Sequence, residues 1–204
     1  MKKLSTLFLL LAGVIMLSSS SPRLNYGIGD TVADFKLKNV DGKFVSLSDY
    51  KKGKGVIVIF DCNTCPYSKA YNSRIIALNK EYASKGFPVV AINANDASIS
   101  SGDSFEEMVS EAKRKHYDFP YLVDETQTTA KAFGATNTPH VFVLKNDGSA
   151  FKVAYIGTID NSPKDESSAT KKYVQEAVNA ILDGKDVATK STRAVGCGIK
   201  WKNT

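Results

Sequence analysis

Residues 55–60 read GVIVIF, an unbroken apolar run rich in β-branched side chains, and two positions beyond it stands Cys62-Asn63-Thr64-Cys65-Pro66. A run of that kind is what a strand buried on both faces requires. Proline has no N–H to give to a helix interior and is accepted in the first helical turn, so Pro66 marks where the next helix starts. The two cysteines therefore lie between a buried strand and a helix N-terminus. That junction restricts the chain to folds in which strands alternate with helices.

The rest of the pattern agrees. Tyr67, Tyr71, Ile75, Leu78 and Tyr82 follow at helical spacing toward Gly86, and residues 88–93 (PVVAIN) form a second buried strand. Ser104 with Glu107 is a capping box opening a helix with Phe105, Met108, Val109 and Ala112 on one side; Asp124 with Gln127 repeats that signature for a helix closing at Gly134. Residues 140–144 and 150–156 are strands around Asn146-Asp147-Gly148, and a last helix carries Tyr173, Val174, Ala177, Val178, Ile181 and Leu182 to Gly184. Ahead of the first buried strand, residues 35–37 and 45–47 flank Asp41-Gly42 as a hairpin. A βαβ unit joined to a ββα unit is an α/β fold with a central mixed sheet, helices on both faces and an N-terminal hairpin extension.

Of the 204 residues, 1–21 read as a secretory signal peptide: Lys2 and Lys3, an apolar stretch over 7–17, then Ser18 to Ser21. The stretch is too short to span a bilayer, and no cysteine follows it to accept a lipid. The expectation is a periplasmic or secreted protein that meets the membrane only during export, with one domain over 22–184 and a tail over 185–204. Without Lys2 and Lys3 there are 25 basic against 21 acidic side chains, a net charge of about +4. The lysines are scattered, so no basic stripe points to nucleic acid.

Three cysteines are too few for a disulfide-stapled scaffold, which points to chemistry instead. At a helix N-terminus, free N–H groups and the positive dipole end stabilise a thiolate, and a two-residue spacer lets one thiol resolve what the other captures. Cys62 is expected to be the exposed, attacking thiol and Cys65 the resolving one. The function expected is thiol-disulfide exchange on protein or small-molecule disulfides with an upstream reductant, needing no cofactor beyond a Cys62–Cys65 disulfide. The other readings are a thiol peroxidase acting through Cys65, a Cu(I) carrier using Cys62, Cys65 and His140, a zinc site recruiting Cys197, His116 or His140, and a structural disulfide. Haem attachment would need histidine in place of Pro66.

Taken with Gly27-Ile28-Gly29-Asp30, Asn93-Ala94-Asn95-Asp96, the segment from Pro120 to Gln127 (PYLVDETQ), Thr138-Pro139 and the ending Gly196-Cys197-Gly198-Ile199-Lys200-Trp201, the CNTCP motif resembles the peroxiredoxin-like redoxin family (AhpC/TSA-type) of the thioredoxin superfamily. The resemblance implies the thioredoxin fold, with Pro139 as the cis-proline facing the cysteine pair and Thr138 and Pro139 as the edge that receives a substrate strand. The chain departs from its relatives at five positions. Val58 and Cys62 occupy the positions of the proline and threonine that precede a peroxidatic cysteine at the place of Cys65. Thr64 replaces a frequent histidine, Asp61 stands where thioredoxins have tryptophan, and Val56 where they bury an acid.

Two residues carry alternative readings. His140 is either a proton carrier or the first residue of a strand. Cys197, between two glycines and followed by the apolar Ile199 and Trp201, is either a third thiol that accepts the disulfide or a free cysteine packed under a docked tail.

Overall fold

The computed structural model describes residues 25–203. The expected signal peptide lies outside the described residues; among those described, no helix is long and apolar enough to cross a membrane. Seven strands form the main sheet: β1 (Lys36–Asn39), β2 (Phe44–Ser46), β3 (Gly55–Phe60), β4 (Val89–Asn93), β5 (Tyr121–Val123), β7 (His140–Asn146) and β8 (Phe151–Gly157). Their order is β2-β1-β5-β4-β3-β7-β8. The pairs β3/β4 and β4/β5 are parallel and the others antiparallel, so the sheet is mixed. The N-terminal hairpin joins the sheet through β1 against β5, in the register Lys38 to Val123.

Every residue of β3 is buried. Alternation divides it between two cores. Ile57 and Ile59 pack with Tyr71, Ile75 and Leu78 of α1 (Pro66–Tyr82), Met108 of α2 (Phe105–Arg114) and Val174 and Val178 of α4 (Tyr173–Leu182). Val56, Val58 and Phe60 face the opposite core, with Ala130 and Phe133 of α3 (Thr128–Phe133), Phe142 and, from the tail, Ile199. Burying an aliphatic side chain of this size contributes roughly 1.5–3 kcal/mol, so β3, like the equally buried β4, tolerates little change. Gly86 closes the 3-10 turn Ala83–Lys85 that follows α1, with φ +89°, a left-handed conformation that glycine takes at little cost.

Three local expectations differ. Val109 is exposed, so α2 presents a narrower apolar face than its spacing suggests. Asp124 and Gln127 do not make a capping box: Asp124 accepts from the Ala130 N–H at 2.8 Å, and Gln127, at φ +59°, turns its amide toward the tail. The tail, without a helical or strand period, is nevertheless docked. Its Cys197–Gly198 forms β9, antiparallel to β6 (Asn137–Thr138), in the register Thr138 to Cys197 and Asn137 to Gly198.

Candidate active site

β3 delivers Asp61 and Cys62 to the C-terminal edge of the sheet, and Cys65 is the N-cap residue of α1 with Pro66 at its first position. The spacer between the cysteines is pinned from below. Asp103, buried, accepts from the Asn63 N–H at 2.7 Å, the Thr64 hydroxyl at 2.7 Å, the Ser100 hydroxyl at 2.6 Å and the Asn95 amide at 2.9 Å. Burial works against its charge, but these bonds outweigh it and hold the carboxyl below its usual range.

All three cysteines are free thiols, and they converge. Cys62 Sγ lies 3.0 Å from Thr138 Oγ1 and 3.8 Å from Ser68 Oγ. Cys65 Sγ lies 3.1 Å from the Thr138 carbonyl oxygen, to which it donates when protonated, and 3.3 Å from the Cys197 N–H. The Thr138-Pro139 bond is cis. Neither member of the pair is exposed: Cys62 is 5% and Cys65 3% accessible. The expectation of an exposed first thiol therefore does not describe this docked form: Cys62 Sγ is enclosed beside Thr138 and Ser68, and the tail lies over Cys65.

The two thiols differ in character. A bond from the Cys62 S–H lowers the Cys65 pKa; burial opposes this, and the Cys197 S–H and the backbone N–H groups of Ser68 and Cys197 reinforce it. The net direction is down for Cys65. Ser68 is the third residue of α1, and the N–H it offers is one of those a helix N-terminus leaves free. Cys62 goes the other way: donating to Cys65, being buried and facing Asp61 all push its pKa up. Asp61 is fully buried with Oδ1 unpartnered, and burial pushes its pKa up to about 7, against the opposing bonds from Ser68 and the Cys62 N–H. An acid thus does lie under the cysteine pair, supplied by Asp61 rather than from the position of Val56.

Of the remaining candidates, Thr138 and Pro139 are beside the sulfurs, as the resemblance implies. His140 is buried at the start of β7, its Nδ1 accepts from the Thr136 N–H at 3.3 Å, and burial lowers its pKa to about 4. Its ring is neutral at physiological pH and one nitrogen is already engaged. Among the described residues no group of three His, Cys, Asp or Glu side chains is arranged to hold a metal ion. Sequence reading missed Asp103, Ser68 and the role of Gln127. Only Ser68 had a local signal, lying three residues after Cys65 where a capping partner belongs.

A sheet of this topology, a cysteine pair at the start of α1 and a proline-bearing edge beside it invite comparison with known redox proteins. The Redoxin family model matches residues 28–173. The chain belongs to the Redoxin family. It is 27% identical over 157 residues to the thiol-disulfide oxidoreductase ResA of Bacillus subtilis, covering 77% of each chain. Among solved structures it resembles an uncharacterized conserved protein from Geobacillus kaustophilus, at 38% identity and a TM-score of 0.81, covering 88% of this chain and 94% of that one. A putative thiol:disulfide interchange protein DsbE from Chlorobium tepidum shares the fold, with a TM-score of 0.59 at 24% identity over 78% of this chain and 99% of the other. The redoxin resemblance and the thioredoxin-like α/β fold expected from the sequence are both borne out.

Proposed function

We propose that this redoxin is an exported thiol-disulfide oxidoreductase that cycles between a Cys62/Cys65 dithiol and a disulfide, acting on protein or small-molecule disulfides at the edge formed by Thr138 and Pro139. The observation that carries this is the convergence of two free thiols on one residue beside the cis-proline: Cys62 Sγ lies 3.0 Å from Thr138 Oγ1 and Cys65 Sγ 3.1 Å from the Thr138 carbonyl oxygen. Its similarity to ResA supports a thiol or disulfide substrate.

The chemistry follows from the arrangement. Cys65 thiolate attacks a substrate disulfide, forming a mixed disulfide and releasing one substrate thiolate, which takes a proton from solvent. Cys62 then loses its proton and attacks Cys65 Sγ, releasing the second substrate thiol and leaving Cys62–Cys65 oxidised. Two electrons have passed from the dithiol to the substrate. Ser68 stands 3.8 Å from Cys62 Sγ and hydrogen-bonds Asp61, so the proton leaving Cys62 has an acceptor poised near neutrality. This assigns attack to the second cysteine where the sequence reading assigned it to the first, and the Cys197 N–H, 3.3 Å from Cys65 Sγ, supports it.

Insulin reduction by the purified protein in the presence of a thiol reductant tests the reading, with peroxide consumption measured in parallel. Turnover of insulin that is lost in Cys65→Ser supports it. Consumption of peroxide without insulin reduction favours the peroxidase reading, for which a Cys65 thiolate is also suited.

A further inference from the structure

The tail occupies the place that the proposed function reserves for a substrate. β9 pairs with β6, the edge beside the sulfurs, and its register sets Cys197 opposite Thr138. Gly196 approaches so closely that a Cβ there would lie 2.1 Å from the Thr138 carbonyl oxygen and 2.6 Å from its carbon, a contact that no other residue type can make. The Asn137 amide donates to the Gly196 carbonyl at 3.0 Å.

The docking continues beyond the cysteine. Ile199 donates to the Thr136 carbonyl at 3.0 Å and is buried in the second core. Gln127 clamps the next residues, donating to the Lys200 carbonyl at 2.8 Å and accepting from the Lys202 N–H at 2.8 Å. The Asn95 side chain accepts from the Lys200 N–H at 2.9 Å, and the Asp96 backbone N–H donates to the Lys200 carbonyl at 2.8 Å. Three motifs distant in sequence, Asn95-Asp96, Gln127 and the GCGIKW ending, are one device: a dock that presents Cys197 to Cys65.

We propose that Cys197 is a third redox thiol of this site, which exchanges into the Cys62–Cys65 disulfide to give Cys65–Cys197 and pins the tail across the substrate edge. This rests on the function proposed above and extends it. The step balances: Cys197 gives its proton to solvent and its thiolate attacks Cys65 Sγ. The Cys65–Cys197 bond forms, the Cys62–Cys65 bond breaks, and Cys62 leaves as a thiolate that takes up a proton. No electrons are gained or lost. A dithiol reductant then reduces Cys65–Cys197 and is itself oxidised to a disulfide.

The sulfurs are ordered for this. Cys65 Sγ accepts from the Cys197 N–H at 3.3 Å and meets the same Thr138 that Cys62 Sγ contacts at 3.0 Å, so it stands as the middle member of the row. In the dithiol state Cys197 is held as a thiol, its pKa pushed up to about 11 by burial and by the adjacent Cys65 thiolate. When Cys65 is locked in a disulfide that negative neighbour is gone. Cys197 thus becomes a better nucleophile at the moment its target becomes an electrophile.

The test uses the chain and its Cys62→Ser, Cys65→Ser, Cys197→Ser and Gly196→Val variants, each oxidised with one equivalent of diamide, digested without reduction at acid pH and mapped by mass spectrometry. Cys62→Ser is expected to close Cys65–Cys197, Cys197→Ser to close Cys62–Cys65, and Cys65→Ser to close neither pair. Gly196→Val unseats the tail and should raise Cys65 alkylation by iodoacetamide about tenfold, the modest end of what an overpacked contact does to a local opening equilibrium. Cys65 and Cys197 remaining fully alkylatable in oxidised Cys62→Ser, while Cys197→Ser still closes Cys62–Cys65, overturns the proposal and leaves the function intact. Failure of Cys197→Ser to close its pair overturns the function, and the proposal with it. An unchanged alkylation rate in Gly196→Val refutes the covering tail.

Discussion

Replacing Asp61 by asparagine separates the electrostatic cost of this site from its packing. The carboxyl is fully buried and its pKa rises from 3.8 to about 7 on folding. The folded state therefore binds the proton more tightly than the unfolded chain does. Stability attributable to this group is highest below pH 3.8, falls as pH rises through the interval to about 7, and stays lost above it. At 1.36 kcal/mol per unit, about three units amount to roughly 4 kcal/mol. Asparagine has no proton to lose, but leaves a buried amide incompletely bonded at a cost of about 1–3 kcal/mol. The expected outcome is that Asp61→Asn is about 1–3 kcal/mol more stable than the parent at pH 8 and no more stable at pH 4. Urea unfolding under reducing conditions at pH 4, 5.5 and 8 measures this, with a constant m-value confirming comparable transitions. A difference between the two proteins that does not change with pH refutes the buried, raised carboxyl.

Three other outcomes follow from the site and its support. Cys62→Ser should trap a mixed disulfide with substrate through Cys65, and Cys65→Ser should trap none; non-reducing gels and peptide mapping decide, and trapping through Cys62 restores the roles read from the sequence. Ser68→Ala removes the hydroxyl between Cys62 and Asp61 and should slow resolution of that mixed disulfide by about tenfold to a hundredfold in stopped-flow measurements, with the slowing diminishing at high pH. Arg74→Met strands the carboxylate of Asp160, which the arginine meets at 2.6 Å with both side chains buried, and should cost about 3–5 kcal/mol in urea unfolding at pH 7.

The framework was legible because its signals are local. GVIVIF defined β3 to the residue, Pro66 placed the start of α1, and Gly86 and Gly184 marked where helices stop. The capping box at Ser104 is present in part, with its hydroxyl accepting from the Glu107 N–H at 3.3 Å. The same signature failed at Asp124 and Gln127 because a partner some 70 residues away, the tail, takes the glutamine amide. A pattern that compares neighbours three or four positions apart has no access to that competition. Asp103 was missed for the same reason: its five partners, Asn63, Thr64, Asn93, Asn95 and Ser100, lie mostly far from it in sequence. Which of the two thiols attacks was not legible for a subtler reason. Helix N-termini favour whichever sulfur the free N–H groups reach, and that depends on the Ser68 and Cys197 backbone rather than on which cysteine comes first.

The docked tail also bears on how such a site would choose substrates. A segment of the same chain presents itself to the edge of β6 at an effective concentration that short tethers place around the millimolar range. A free peptide strand of equal intrinsic affinity, present at micromolar concentration, would occupy the edge about a thousandth of the time. Backbone pairing alone therefore gives little selection. A disulfide-bearing substrate differs from the tail in one respect: on meeting Cys65 it forms a covalent bond, which holds it in place however weakly its backbone pairs. Selection by capture rather than affinity makes the dwell time of the mixed disulfide, and hence the competition between Cys62 and Cys197 for Cys65 Sγ, the quantity that sets the outcome. The contact between Gly196 and Thr138 tunes that competition from outside the row of sulfurs, since together with the Gln127 and Asn95 bonds to Lys200 it governs how often Cys197 is seated when the mixed disulfide is ready to be resolved.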